Sequence, residues 1–354
     1  MFTVHLPICK SIANRLLILQ AMYGDILLSV DDTMPDDVRV LHKALDHTAT
    51  TIDVGNCGTA MRFLTAYFAI KEGVEVLLTG NERMKQRPIG QLVEALQRIG
   101  ADIEYKGETG FPPLLIKGQT LEPQTVTVYH PLSTQFVSAL RLIGMKVQTD
   151  SHSPYIALTE YCIDHYDTLI RQPIEADWSS AAFWYEWVAL HAGTDILLSG
   201  VNGLSRQGDK QAAAIFEPLG VITRYVTEGA ILIGTHCMVK ALDVDFSRCP
   251  DLYPAVALTC HRLGVRLTAT GTERLPFKES DRLQAIKEIC ATLDKKDRST
   301  QAVASTHQSL PSYADHRIAM ALLAADYEAD DTECIKKSYP LFAQQLQQLN
   351  QQTL

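Results

Sequence analysis

The sequence has no paired cysteine framework. Its eight cysteines, Cys9, Cys57, Cys162, Cys237, Cys249, Cys260, Cys290 and Cys334, are scattered, and no two stand at CxxC spacing. That excludes a disulfide-stapled scaffold and reads as reduced, mostly buried thiols in a cytoplasmic protein. There is no excess of positive charge either. The 32 Lys and Arg residues stand against 41 Asp and Glu, a formal net charge of −9, which argues against nucleic acid or an anionic membrane as the main partner. No apolar run reaches transmembrane length. The start, Met1-Phe2-Thr3-Val4-His5-Leu6-Pro7, has neither the basic region nor the apolar stretch of a signal peptide. His42 and His47 lack an acidic partner at ligand spacing, so no metal site is expected.

What is present is ample apolar material. At 354 residues, 46% of them hydrophobic and 21% charged, two domains with sizeable cores are the expectation. The pattern alternates short β-rich runs with apolar-periodic helices. Strands are expected over residues 2–6, 26–30, 51–54, 74–79, 103–105, 114–116, 126–129, 155–158, 196–199 and 267–270, with a hairpin turning at Glu228-Gly229. Helices are expected from Ser11 to Gly24 and from Pro35 to Leu45. Others follow Gly58, Pro88, Ser133, Thr159, Asp177 and Pro250. The last three are Lys278 to Ile289, Ile318 to Tyr327 and Pro340 to Leu349. Ala291 to Ser309 shows no periodicity and reads as a loose segment.

Small or polar residues open apolar helices at Ser11, Gly58, Ser133, Ser179, Asp251, Lys278 and Asp315, mostly after a strand. This is a loose strand-then-helix repeat. Lys10, Arg15, Arg62, Arg87, Lys278, Arg282, Arg317 and Lys337 lie in or beside these openings. Helix N-termini with cations beside them suit anionic ligands. The stretch Gly55-Asn56-Cys57-Gly58-Thr59-Ala60-Met61-Arg62 is the clearest case, because small residues there let an anion approach backbone N–H groups. On that stretch alone, a Gly-rich turn that binds nothing is the simpler reading.

The motifs together resemble the 3-phosphoshikimate 1-carboxyvinyltransferase (5-enolpyruvylshikimate-3-phosphate synthase) family of enolpyruvyl transferases. Lys10-Ser11-Ile12-Ala13-Asn14-Arg15 is similar to its K-S-x-x-N-R, and Gly55 to Arg62 to G-N-A-G-T-A-M-R. Arg83 to Ile89 resembles R-M-K-x-R-P-I, Ser133 to Phe136 resembles S-S-Q-F, and Asp177 to Ala181 resembles D-x-S-S-A. Lys278 to Arg282 matches K-E-S-D-R, Asp315 to Met320 matches D-H-R-x-A-M, and Lys337 to Pro340 resembles K-S-Y-P.

The resemblance implies an α/β fold of two similar lobes of repeated βαβαββ units, an inverse α/β prism with the active site in the interlobe cleft. Residues 1–9 with 176–354 would form one lobe, and residues 10–175 an inserted lobe binding mainly shikimate 3-phosphate. The implied reaction moves the enolpyruvyl group of phosphoenolpyruvate to the 5-hydroxyl of shikimate 3-phosphate and releases phosphate, with no metal or organic cofactor. By motif position, shikimate 3-phosphate would be held by Lys10, Ser11, Arg15, Ser133, Thr134, Gln135, Tyr155, Asp251 and Lys278. Phosphoenolpyruvate would be held by Lys10, Asn56, Gly58, Arg87, Gln135, Arg282, Arg317 and Lys337. Asp251 matches the base for the hydroxyl and Glu279 the carboxylate near the methylene carbon, with Lys10 and His316 completing the catalytic set. Taken singly, Asp251 also reads as a helix N-cap, and Glu279 as a first-turn acid facing the helix dipole. The expected partners are these two small molecules, with no nucleic acid and no membrane, and the expected form is a cytoplasmic monomer.

The sequence departs from the family pattern in places. Pro7-Ile8-Cys9 stands where the family has P-G-S, Phe63 where it commonly has Pro, and Pro276 where it often has Arg. Ser151-His152-Ser153-Pro154-Tyr155 leaves open which serine matches S-x-P-Y. The chain is also short for the family between Ala44 and Thr51, after Leu140 and around Cys162–Glu175. Two alternatives follow: the sister transferase acting on UDP-N-acetylglucosamine, and a non-catalytic relic that keeps the anion-binding fold.

Overall fold

The computed structural model describes residues 1–46, 49–299 and 309–353. His47 and the part of the expected loose segment at 300–308 lie outside the described residues. The chain divides into two compact units: a terminal unit, Met1–Ile8 with Glu175–Leu354, and an inserted unit, Cys9–Ile174. The terminal unit begins with strand β1 (Phe2–His5) and resumes after the insertion.

The inserted unit opens with helices α1 (Lys10–Tyr23) and α2 (Asp36–Leu45). There follow β2 (Thr51–Asp53), α3 (Gly58–Ala69), β3 (Glu75–Thr79), the single turn α4 (Glu82–Lys85), α5 (Gly90–Arg98), β4 (Asp102–Tyr105) and β5 (Leu114–Lys117). Their strands form one sheet in the order β2-β3-β5-β4. β2 and β3 are parallel because α3 carries the chain back, whereas β4 and β5 pair antiparallel. A shorter run comes next: β6 (Thr125–Thr127), α6 (Thr134–Leu142), β7 (Lys146–Gln148), α7 (Pro154–Asp164) and α8 (Tyr166–Leu169), with β6 and β7 paired in parallel.

The terminal unit repeats this plan. Helix α9 (Trp178–Leu190), β8 (Asp195–Ser199), a 3-10 turn over Gly208–Gln211, α10 (Ala212–Phe216) and the hairpin β9 (Val221–Val226) and β10 (Gly229–Gly234) join β1. The resulting sheet has the order β1-β8-β10-β9, again with a parallel first pair and an antiparallel last pair. Then come β11 (Ala241–Asp245), a 3-10 turn over Pro250–Leu252, α11 (Tyr253–Arg262), β12 (Arg266–Thr270) and α12 (Arg282–Ser299), followed by α13 (His316–Ala324) and α14 (Phe342–Thr353). β11 and β12 pair in parallel.

Each unit thus holds one complete βαβαββ module followed by a βαβα module. Among the described residues no second strand pair closes the later module of either unit. After α6 the chain turns through Gly144 (φ 85°), with Met145 N–H on the Leu140 carbonyl at 3.1 Å, and enters β7 directly.

The helix at the centre of each complete module is buried on every side. In α3 all residues but Thr59 are buried, and in α9 every residue from Trp178 to Ala189. A helix apolar all round belongs to a core. β3 and β8 share one burial pattern, in which alternate residues face inward against these helices.

Four expectations need correction. Ile26–Val30 is not a strand. Gly24 ends α1 at φ 75°, and the Gln20 side chain accepts the Leu28 N–H at 3.0 Å, so a side chain holds the segment in place of a neighbouring strand. Tyr155–Leu158 is helical, because Pro154 takes the first helical position, where its missing N–H costs nothing, and Ser153 caps the Tyr155 N–H. Thr159 therefore lies inside α7 rather than at a cap. The helix expected from Lys278 begins at Arg282, since Lys278 is extended (ψ −163°). That helix also takes in residues 291–299, read above as loose. The short strands β7 and β11 were not expected at all.

Candidate active site

In the inserted unit, the chemistry-bearing residues gather around the starts of α1, α3, α6 and α7. Lys10 is the first residue of α1, and its Nζ donates to Asp37 Oδ2 of α2 at 2.7 Å. The next turn carries Arg15, which is 2% exposed. Its Nε donates to Thr159 Oγ1 (2.8 Å), its Nη1 to the Ser11 carbonyl (2.6 Å), and its Nη2 to the Tyr155 carbonyl (2.9 Å) and Ser138 Oγ (3.4 Å). Arg15 thus braces α1, α6 and α7, and burial lowers its basicity. Tyr155 reaches this group through its backbone. Ser133 caps α6, accepting the Gln135 N–H, so Thr134 and Gln135 occupy the first turn. Gln135 Nε2 donates to Thr59 Oγ1 at 2.8 Å, which links the starts of α6 and α3.

Two guanidinium groups flank the start of α3. Arg87 is 6% exposed and Arg62 3%. Arg87 Nη1 lies 3.4 Å from both the backbone and side-chain oxygens of Asn56. Gly58 is first in the helix, and a Cβ there would collide with the Arg62 guanidinium and stand 2.6 Å from Arg87 Nη2. The helix is capped by Cys57, whose sulfur accepts the Ala60 N–H at 3.4 Å. A glycine behind a small cap leaves the first N–H groups bare between two cations, a fitting seat for an anion.

The terminal unit assembles a denser network. Asp251 stands in the 3-10 turn before α11, its side chain 16% exposed. Its Oδ1 accepts from Lys278 Nζ (3.1 Å) and Arg282 Nη1 (2.7 Å), and its Oδ2 faces Arg317 Nη2 (2.9 Å). Burial alone would push this carboxyl up. Arg317, then Lys278 and Arg282, outweigh burial and hold it well below the usual carboxylate range. Arg282 also donates from Nη2 to Glu279 Oε2 at 2.8 Å, and grips Asp315 through Nε (2.8 Å) and Nη2 (3.1 Å). Burial works against its charge, but Asp315, Glu279 and Asp251 raise its pKa beyond the ordinary arginine value. Lys337 Nζ lies 4.0 Å from Glu279 Oε1. His316 is 1% exposed, with Nδ1 3.7 Å from Asp315 Oδ1.

The extended backbone at Lys278 explains this geometry. Lys278 and Glu279 precede α12 instead of lying in it, so they reach Asp251 and Lys337 beside the helix start. Sequence reasoning missed the acids behind the cations. Asp315 reads in the sequence as a helix opener and as part of a motif, and besides capping α13 through the Arg317 N–H (3.0 Å) its carboxylate accepts from Ser280 Oγ (3.1 Å) and clamps Arg282. Asp37 and Asp209 went unnoticed. Asp209 is 2% exposed and accepts a hydrogen bond from Ser179 Oγ. Burial first, and then the charge of Asp251, push its carboxyl up to about 7 against the pull of Arg317. No local signal marks these positions: an acid in a first turn is common, and only the folded chain sets it against a particular cation.

Comparison with known proteins bears on the family and the fold. A family model described as EPSP synthase (3-phosphoshikimate 1-carboxyvinyltransferase) matches residues 5–172 and 139–346. The 3-phosphoshikimate 1-carboxyvinyltransferase of Bacteroides fragilis is 37% identical over 382 residues, covering 96% of this chain and 92% of the relative. That of Colwellia psychrerythraea is 29% identical, covering 98% and 96%. Among solved structures, EPSP synthase from Acinetobacter baumannii is similar with a TM-score of 0.64 at 20% identity, covering 98% of this chain and 95% of its own. The enolpyruvyl transferase NikO from Streptomyces tendae follows with a TM-score of 0.60 at 13% identity, covering 99% and 95%. At such identities the structural likeness speaks for the fold, while the sequence matches span nearly the whole chain. The chain belongs to the EPSP synthase family.

Proposed function

We propose that the protein transfers the enolpyruvyl group of phosphoenolpyruvate to the 5-hydroxyl of shikimate 3-phosphate, giving 5-enolpyruvylshikimate 3-phosphate and phosphate. The observation that carries the proposal is Asp251 ringed by Lys278, Arg282 and Arg317. Both substrates are polyanions, and three cations, Arg282 and Arg317 buried and Lys278 partly exposed, are gathered on one carboxylate where such anions can draw on them. Asp251 takes the proton of the attacking hydroxyl as its oxygen bonds to C2 of phosphoenolpyruvate. Glu279, acting as the acid, gives a proton to the methylene carbon. The tetrahedral adduct then returns a methyl proton to Glu279 as the C–O bond to phosphate breaks, and phosphate leaves with the proton held by Asp251.

With Arg317, Lys278 and Arg282 around it, Asp251 favours its ionised form and is a weak base. Substrate anions drawing on Lys278, Arg282 and Arg317 relieve that suppression, so binding itself strengthens the base. Lys10, Ser11, Ser133, Thr134, Gln135, Tyr155, Asp251 and Lys278 hold shikimate 3-phosphate, with Arg15 as brace. Lys10, Asn56, Gly58, Arg87, Gln135, Arg282, Arg317 and Lys337 hold phosphoenolpyruvate, and His316 supports the Arg317 turn. We take the working form to be a monomer in the cytoplasm. Among the described residues no cysteine forms a disulfide, which suits a reducing compartment, and no helix is long and apolar enough to cross a membrane.

The test is phosphate release from the two substrates, beside Asp251→Asn. Release that needs both substrates and falls at least about a hundredfold in the variant supports the reaction and the base. An Asp251→Asn enzyme of full activity removes the base from this reading. Shikimate 3-phosphate binding without release points to a relic. Release with UDP-N-acetylglucosamine in its place points to the sister reaction.

A further inference from the structure

Helix α9 contains one acid, Glu186, in the middle of its all-buried stretch. Glu186 is 0% exposed, and neither carboxylate oxygen has a hydrogen-bond partner among the described residues. Its surroundings come from three helices that pack on one another, α9, α11 and α13. From α11, Cys260 and Arg262 lie within electrostatic reach, and from the turn after α13, Asp326 does. Asp326 Oδ2 is 3.3 Å from His191 Nε2 just past α9, while Arg262 donates to the Tyr327 hydroxyl at 3.2 Å. α10 and β10, also packed on α9, bring no ionisable side chain, and those of β8 and β9, Asp195, Arg224 and Tyr225, are exposed. Of the ionisable residues of the two 3-10 turns, Asp209 and Asp251 belong with Ser179 at the other end of α9, and Lys210 donates to the Gly203 carbonyl at 3.0 Å. Ser179 is seven residues from Glu186, about two turns or about 10 Å along the same face.

We infer that Glu186 is a pH-dependent lock in the core of the terminal unit: as a neutral acid it lets α9, α11 and α13 pack, and its ionisation loosens them. A carboxylate without hydrogen bonds in such a place is far costlier than a carboxylic acid. Burial accordingly raises this carboxyl well above the ordinary glutamate value, Arg262 opposing and Asp326 adding to the rise. The unfolded chain ionises at the ordinary value while the folded core keeps its proton. Folding therefore takes up a proton, and the stability due to Glu186 is full in acid and declines as pH rises above that value. The consequence reaches the site, because these helices carry Ser179, Arg317 and the turn of Asp251.

The test is thermal unfolding of the full chain from pH 5 to 9, wild type against Glu186→Gln, which fixes the side chain in a neutral form. The Tm of the variant minus that of the wild type is expected to grow steadily with pH, and inactivation at pH 9 to slow at least about tenfold. A Tm difference that stays constant or shrinks with pH overturns the lock. If the Gln variant fails to fold, infrared difference spectra of the wild type decide. Loss of a buried protonated-carboxyl band between neutral and alkaline pH, in step with loss of near-ultraviolet dichroism, supports it. Absence of that band at neutral pH overturns it.

Discussion

Gly58 sits where a side chain would displace two guanidinium groups, those of Arg62 and Arg87. Both are the far ends of flexible side chains, so Gly58→Ala should fold normally while pushing the cations off the anion seat. The expected result is a KM for phosphoenolpyruvate raised by about tenfold, equivalent to about 1.4 kcal/mol, with little change for shikimate 3-phosphate. Steady-state kinetics with each substrate varied in turn checks this, and an equal rise in both would place Gly58 outside the phosphoenolpyruvate seat. Asp209 carries a second residue-level prediction. With its carboxyl near 7, it is neutral below that pH and adds a negative charge beside Arg317 and Asp251 above it. Binding of an anion weakens accordingly, so KM for phosphoenolpyruvate should climb above pH 7, by up to about tenfold. Asp209→Asn should flatten that climb relative to wild type. Nothing in the sequence marks Asp209, whereas Gly58 lies in a motif assigned to phosphoenolpyruvate. The motif containing Gly58 was legible, but the collision depends on Arg87, which approaches from another part of the chain.

At the scale of elements, the helix starts do most of the positioning. Asp315 joins two tasks, since it caps α13 and clamps Arg282 from a fully buried position. Asp315→Ala removes both, costing about 1 kcal/mol for the cap and roughly 3 kcal/mol for the broken buried pair. Asp315→Asn keeps an acceptor for the Arg317 N–H and should cost about 1 kcal/mol less than Ala. Urea midpoints of the two variants measure the difference, and equal midpoints would show that the cap contributes nothing. Elements with a periodic apolar face and a cap were legible: Ser133 before α6, Asp177 before α9 and Asp315 before α13 all lie where the sequence suggests. The misread elements have identifiable causes. Pro154 looked like a strand edge and is a first helical residue. Lys278 looked like a helix start and is extended, because its ammonium is drawn to Asp251 rather than to solvent. Strands β7 and β11 are short and half exposed, so they carry too little apolar alternation to stand out.

At the scale of the molecule, each unit combines one complete βαβαββ module with a shorter βαβα run and its own charged cluster. Shikimate 3-phosphate at a hundred times its Kd should stabilise the protein by about 2.7 kcal/mol. Hydrogen exchange should therefore slow about a hundredfold at the most protected amides of the inserted unit, with the earliest effect at the starts of α1, α6 and α7. Protection that spares this unit would remove Lys10, Ser133 and Gln135 from the proposed shikimate 3-phosphate set. The sequence by itself determined the alternation of strands and helices, the caps, the absence of a disulfide framework and the family motifs. All of these are written in neighbouring residues, where hydrogen-bond geometry and the helical period act over a few positions. Only the tertiary structure decided which charges meet. Asp37 finds Lys10 across 27 residues, Asp315 finds Arg282 across 33, and Arg15 finds Thr159 across 144. It also decided that Glu186 would have no partner at all among the described residues. Coulomb and hydrogen-bond energies depend on distance in space and on burial, and neither is a property of spacing along a chain.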